Sequence, residues 1–210
     1  MLKKILIIGG GGHAKVVIAT MRAMGGWSPQ GILDPKLTVE QQVLGVRVLG
    51  GDELLLSKEW RDFSLAMGVG TMRATDVRKN LYLKYREMQY KFPVLQHPSV
   101  TLADKVVIRD GTQLMAGVIV QSEASIGANC IVNTGAIVEH DCHIADHCHI
   151  APGAVLGGHV TVGECSLIGL GARVLPGIKI GRHVTVGAGA MVLRDIPEGV
   201  TAMGAPAKIL

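Results

Sequence analysis

The chain has 210 residues, 48% hydrophobic and only 18% charged, so it is long and apolar enough to bury a sizeable core. Aromatic residues make up 3% while glycine reaches 28 residues, a composition of tight, repetitive packing more than of an ordinary globule. The net charge of +4 comes without a basic run or basic–aromatic interleaving, which gives nucleic-acid binding no support and suits small phosphorylated ligands.

The opening MLKKILIIGGGG has an apolar run of four residues, Ile5 to Ile8, too short for a secretory leader. No stretch approaches the roughly 18 apolar residues that argue for a membrane span. Four cysteines without a leader suggest a reduced, cytoplasmic protein. KKILIIGG is a short apolar strand ending in glycine. From His13 to Met24, Val16, Val17, Thr20 and Ala23 follow helical spacing. QGILD, VRVLG and FSLAMG are further strands, and a helix over 73–90 places Val77, Leu81, Tyr85 and Met88 on one face. Strand–helix alternation predicts a small parallel sheet, about half of a dinucleotide-binding fold, over residues 1–95.

From Leu102 the period changes. Every sixth residue is aliphatic over sixteen consecutive positions, from Leu102 and Ile108 through Ile144 and Ile150 to Val192. Four residues after each lies a small or aliphatic residue, such as Ala136, Cys142, Cys148 or Ala172. Two inward side chains per six residues predict a hexapeptide solenoid of short stacked strands over 96–210. In this register Cys130, Cys142 and Cys148 point inward, where cysteine acts as a small hydrophobe. Cys165 falls one place earlier and is expected to face outward. All the histidines of the dense stretch EHDCHIADHCH fall off the inward positions. Pointing outward in differing directions, they are not expected to converge on one ion. His143, His147, His159 and His183 are therefore expected to be solvated surface residues.

The glycine-rich GGGGHA from Gly9 to Ala14 fits G-x-G-x-x-A, with Asp34 some way downstream. Bare backbone N–H groups at a helix N-terminus attract phosphate.

The repeat resembles the left-handed parallel β-helix of the hexapeptide acyltransferases. That resemblance implies three hexapeptides per coil, about five coils, and a homotrimer with active sites between subunits. GGGGHAKVV, the LD closing the second strand, QHPS, VNTGAIVEHDC and GAPAK together resemble the sugar acetyltransferases of the PglD/NeuD type. The expected fold is a small Rossmann-like α/β domain followed by a left-handed β-helix. By this resemblance His140 is the general base and Asp141 its orienting acid, with Asn133 in the active site. His149 lies near the thioester carbonyl of acetyl-CoA, and Gly158, Leu170 and Ala188 contact the coenzyme. Gly11, Gly12 and His13 contact the nucleotide diphosphate, Asp34 lies near the ribose or base, and Gly68 borders the pocket. Many relatives have two acids after the second strand, where this chain has Asp34-Pro35. The repeat also resembles the β-helical carbonic anhydrases, which carry two zinc histidines five residues apart; no two histidines here have that spacing, and no metal is expected.

These roles suit acyl transfer. An amine attacking a thioester sheds a proton, and histidine, with an ordinary pKa of about 6.5, is the side chain suited to accept it at neutral pH. A carboxylate on the far ring nitrogen fixes the tautomer, and His149 or a backbone N–H would hold the oxyanion. Cysteines facing the core imply direct transfer, without an acyl-cysteine. The expected activity is acetyl-CoA-dependent N-acetylation of a nucleotide-linked 4-amino-4,6-dideoxy sugar, UDP preferred with GDP or dTDP as alternatives, for glycan biosynthesis. Sialic acid O-acetylation and a non-enzymatic nucleotide-sugar sensor are the competing readings.

Overall fold

A computed structural model describes residues 2–71 and 76–210. The first half is built on a sheet of β1 (Lys3–Ile8), β2 (Trp27–Leu33), β3 (Gln42–Val43), β4 (Val46–Gly50) and β5 (Ser64–Met67), in the order β3-β4-β2-β1-β5. All pairings are parallel except β3 with β4, a hairpin that the strand–helix pattern did not anticipate. Side chains alternate across β1. Ile5 and Ile7 pack with α1 (Gly12–Met24), while Leu6 and Ile8 pack with Tyr82 and Tyr85 of α2 (Val77–Glu87).

Each helical face meets the sequence expectation in part: Val17, Thr20 and Tyr85 are buried and Leu81 and Met88 pack against the core, while Val16, Ala23 and Val77 do not. In α1 the buried residues are Ala14, Val17, Ile18, Thr20 and Met21, while Val16 and Ala23 are exposed. In α2 they are Arg78, Tyr82 and Tyr85, while Val77 is 59% exposed. The reason in α2 is its neighbour. It packs on the β-helix as well as on the sheet, and Arg78 is drawn inside to donate to the carbonyls of Met67, Val69 and Asn129. Residues 73–75 of the expected helix lie outside the described residues.

The second half is a left-handed β-helix. Ile119 pairs with Ile137 and Ile137 with Val155, so one coil takes 18 residues. The first face runs from Leu95–Gln96 to Thr201–Met203, the second from Thr101–Leu102 to Met191–Val192, the third from Val107–Ile108 to Lys179–Ile180. The inward aliphatics form one continuous core with Cys130, Cys142 and Cys148. Each of these thiols donates to a carbonyl 15 residues on, at Ala145, Gly157 and Gly163, all at 3.1 Å. Leu102, at the open end, is 37% exposed despite its register.

The α/β domain sits on the first face, where the outward column Leu95, Gln113, Ile131, His149 is buried. At the corner between third and first faces, Asn129, His147, Cys165 and His183 stack one coil apart, each with positive φ. This corner is covered by α2, which corrects two expectations. Cys165 does leave the prism but is 3% exposed, its thiol pushed up to about 12 by burial. His147 is half-buried, edge-on to Tyr82 and hydrogen-bonded to Asn129.

Candidate active site

The glycine loop is shaped by close approaches. Gly9 has φ +89, and a Cβ on Gly68 would strike Ile7 and the Gly9 carbonyl, so β5 ends against the loop only because Gly68 is bare. Gly11 caps α1 with no side-chain hydrogen bond and no acidic residue in the first turn, which leaves an N-terminus free for an anion. Asp34 closes the loop from below. Its Oδ2 accepts from Gly10 N at 2.8 Å and its Oδ1 from Lys36 N at 2.9 Å.

A cleft of about 570 Å³ opens between this loop and the β-helix, lined among others by Gly11, Gly12, His13, Asp34, Asn133 and His149. The α/β domain therefore meets Asn133 and His149 directly. The hydrogen-bond pattern fixes the protons on His149. The Thr71 carbonyl, 3.0 Å from Nδ1, can only accept, so Nδ1 carries the hydrogen. At the other end Thr134 N donates to Asn133 Oδ1, which turns Asn133 Nδ2 to His149 Nε2 at 3.2 Å. His149 thus offers no N–H to the cleft. Burial lowers its pKa to about 4, with Arg78 contributing. His13 is lowered to about 3, also mainly by burial, with Arg78 and His149 acting in the same direction.

These depressed values have a consequence for stability. Above pH 6.5 both rings are neutral whether folded or not. Below it, an unfolded histidine binds a proton while folded His13 and His149 do not until about pH 3 and 4. Stability should therefore fall from pH 7 to pH 5, with a slope approaching about 2.7 kcal/mol per pH unit from the two rings. Calorimetric unfolding at the two pH values checks this; an unchanged Tm would contradict it.

His140 lies elsewhere on the same chain, at the corner between second and third faces. Its Nδ1 is 2.7 Å from Asp141 Oδ2, and the side chain is 54% exposed. Asp141 holds a positive φ of 59°, and its carboxyl is pulled below the usual range by the hydrogen bond from His140 and by nearby His159. Gly158, one coil on, makes room for the ring, since a Cβ there would lie 2.5 Å from Nε2. The expected coenzyme residues divide. Gly158 sits beneath His140, while exposed Leu170 and Ala188 lie on the Asn133 corner, across the second face.

Coil stacking also corrects the metal argument. Donor atoms of His140, Asp141 and His159 lie within 4.8 Å of one another, and so do those of Asp76, Cys165 and His183. Outward residues converge when they stand one coil apart, or when α2 brings a third. The spacing rule for zinc histidines missed both groups.

A left-handed β-helix joined to a Rossmann-like α/β domain with an open glycine loop is the architecture of a two-domain hexapeptide acyltransferase. The comparisons with known proteins agree. Residues 4–85 match the PglD N-terminal domain, 123–158 the bacterial transferase hexapeptide (six repeats), and 159–194 the hexapeptide repeat of succinyl-transferase. Perosamine N-acetyltransferase from Caulobacter crescentus, solved with CoA and GDP-perosamine, is 40% identical over 100% of this chain and 98% of its own, with a TM-score of 0.93. The acetyltransferase domain of PglB from Neisseria gonorrhoeae, solved with acetyl coenzyme A, is 37% identical over 100% of both, TM-score 0.93. WeeI from Acinetobacter baumannii is 27% identical over 99% of this chain and 100% of its own, TM-score 0.89. The chain belongs to the PglD/NeuD-type sugar acetyltransferases of the hexapeptide superfamily.

Residues that the sequence reading missed are Val69, Gly70 and Thr71 in the cleft, with buried Gln113 and Arg78 behind it. One pattern could have found Gln113: it shares the outward column of the first face with Leu95, Ile131 and Leu167, apolar residues that mark a covered surface.

Proposed function

We propose that the protein transfers the acetyl group of acetyl-CoA to the amine of a nucleotide-linked 4-amino-4,6-dideoxy sugar. The observation that carries this is the His140 Nδ1–Asp141 Oδ2 hydrogen bond of 2.7 Å at an exposed corner. A carboxylate that accepts from Nδ1 leaves Nε2 as a bare lone pair, the atom a general base uses. The amine nitrogen attacks the thioester carbon, and its proton passes to Nε2. The C–S bond then breaks, and the proton goes to the departing thiolate. A cysteine intermediate is disfavoured, because burial raises the Cys142 thiol to about 11 and holds Cys148 well above its ordinary value.

The diphosphate would lie on the backbone N–H groups of Gly11, Gly12 and His13, with Asp34 toward the ribose and Gly68 bordering the pocket. Asn133 would face the sugar. Because His140 and this cleft lie across the second face within one chain, the complete site needs His140 of the partner subunit. The middle of that face's outward column, Ile119, Ile137 and Val155, is apolar and only half-buried, which suits packing against another copy in a homotrimer. Acetyl-CoA would then run between Gly158 of one corner and Leu170 and Ala188 of the other. The sequence favoured UDP; the 40% identity with an enzyme solved with GDP-perosamine makes GDP the stronger choice. Cytoplasmic placement fits four unpaired cysteines, and no described helix is long and apolar enough to cross a membrane. The test is thiol release from acetyl-CoA across UDP-, GDP- and dTDP-4-amino sugars. Turnover with the GDP sugar is expected; release with none of them would defeat the proposal.

A further inference from the structure

We infer that Gln113, a β-helix residue, is a positioning residue for the sugar site, locking His13 of the other domain as a pure hydrogen-bond acceptor. Gln113 is 1% exposed and bridges the two halves of the chain. Its Nε2 lies 2.9 Å from the Met67 carbonyl, which can only accept, so the amide orientation is settled by the backbone. Its Oε1 therefore faces His13 Nε2 at 2.8 Å, and that ring nitrogen must carry the hydrogen. With Nε2 protonated in a neutral ring, Nδ1 is a bare lone pair on the side of Gly70, where a glycine leaves the ring uncovered. Buried Arg78 and neighbouring His149 both oppose a second proton.

An acceptor-only nitrogen repels phosphate oxygens, which are themselves acceptors at neutral pH. His13 stands at the N-terminus of α1, yet its side chain cannot hold the diphosphate; only its backbone N–H can. Nδ1 must meet a donor, an N–H or O–H of the sugar portion of the substrate. This rests on the nucleotide-sugar reading above for the identity of that donor. The tautomer itself depends on no substrate.

The two claims are separable by experiment. Imidazole nitrogen NMR of the unliganded wild-type protein should show His13 protonated at Nε2, bare at Nδ1 and neutral through pH 6; a proton on Nδ1 would overturn the inference. Q113M and Q113E both lose the donation to Met67, but only Q113E still accepts from His13 Nε2. Q113M should raise KM for the nucleotide sugar about 10-fold with KM for acetyl-CoA unchanged, whereas Q113E should stay within about threefold. Equal losses in the two variants would mean that Gln113 merely braces β5, and would also overturn the inference. Absence of turnover in the wild type would defeat the proposed function and leave the NMR result standing.

Discussion

His140→Ala should lower kcat by at least about 10²-fold while leaving the fold and acetyl-CoA binding intact. The side chain is exposed at a corner of the β-helix and contributes nothing to the inward core, so its loss removes a proton acceptor and little else. Gly158 beneath it stays bare, and the coil backbone there is held by the hydrogen bond from His159 N to the His140 carbonyl, which alanine keeps. Initial rates of thiol release with unchanged melting temperature check this. A near-normal kcat would mean that the proton leaves by another route, and the role given to the His140–Asp141 pair would fall.

The largest effect on stability is expected from Gly169→Ala. A Cβ on Gly169 would lie 2.6 Å from the Gly187 carbonyl carbon and 2.7 Å from Ala188 N, with the Val186 carbonyl oxygen also in contact. These are backbone atoms of the next coil, which cannot turn aside as a side chain does. Separating the coils to admit the methyl breaks the parallel ladder on the first face, where Ile168 pairs with Val186. The expected cost is about 3 kcal/mol, roughly 10 °C in melting temperature for a chain of this size. Gly171 two residues on is the contrast. It has φ +64 but open space around its Cβ position, so Gly171→Ala should cost only the backbone strain, about 1 kcal/mol. Thermal melts of the two variants decide it. Equal melting temperatures would show that coil spacing is not set by that glycine.

The contrast explains what the sequence could reveal. A β-helix repeats the same two inward positions in every hexapeptide, so Leu114, Val120 and Ile126 announce their burial through periodicity alone. The α/β strands were legible for a similar reason, since Ile5 to Ile8 is a buried run closed by glycine. Periodicity does not say which outward face is covered, or by what. Cys165, His147 and His149 all point away from the prism, yet all are wholly or partly buried, because α2 or the glycine loop lies over them. Arg78 breaks the apolar pattern of α2 because its partners are carbonyls from two distant segments. The candidate site divides in the same way. His140 and Asp141 are neighbours in sequence and form their pair locally, so their contact is legible from residue order. His149 lies only nine residues on but belongs to another face, beside His13 and Asn133, a separation that residue order does not reveal.

N-acetylation of a nucleotide amino sugar leaves its mark in the chemistry of the product. The GDP-linked member of the sugar panel, incubated with acetyl-CoA and the wild-type protein, should gain one acetyl group that survives mild alkali, as an amide does. Loss of the group in alkali would identify an ester and an O-acetyltransferase. No acetyl gain with any nucleotide 4-amino sugar would contradict the account altogether.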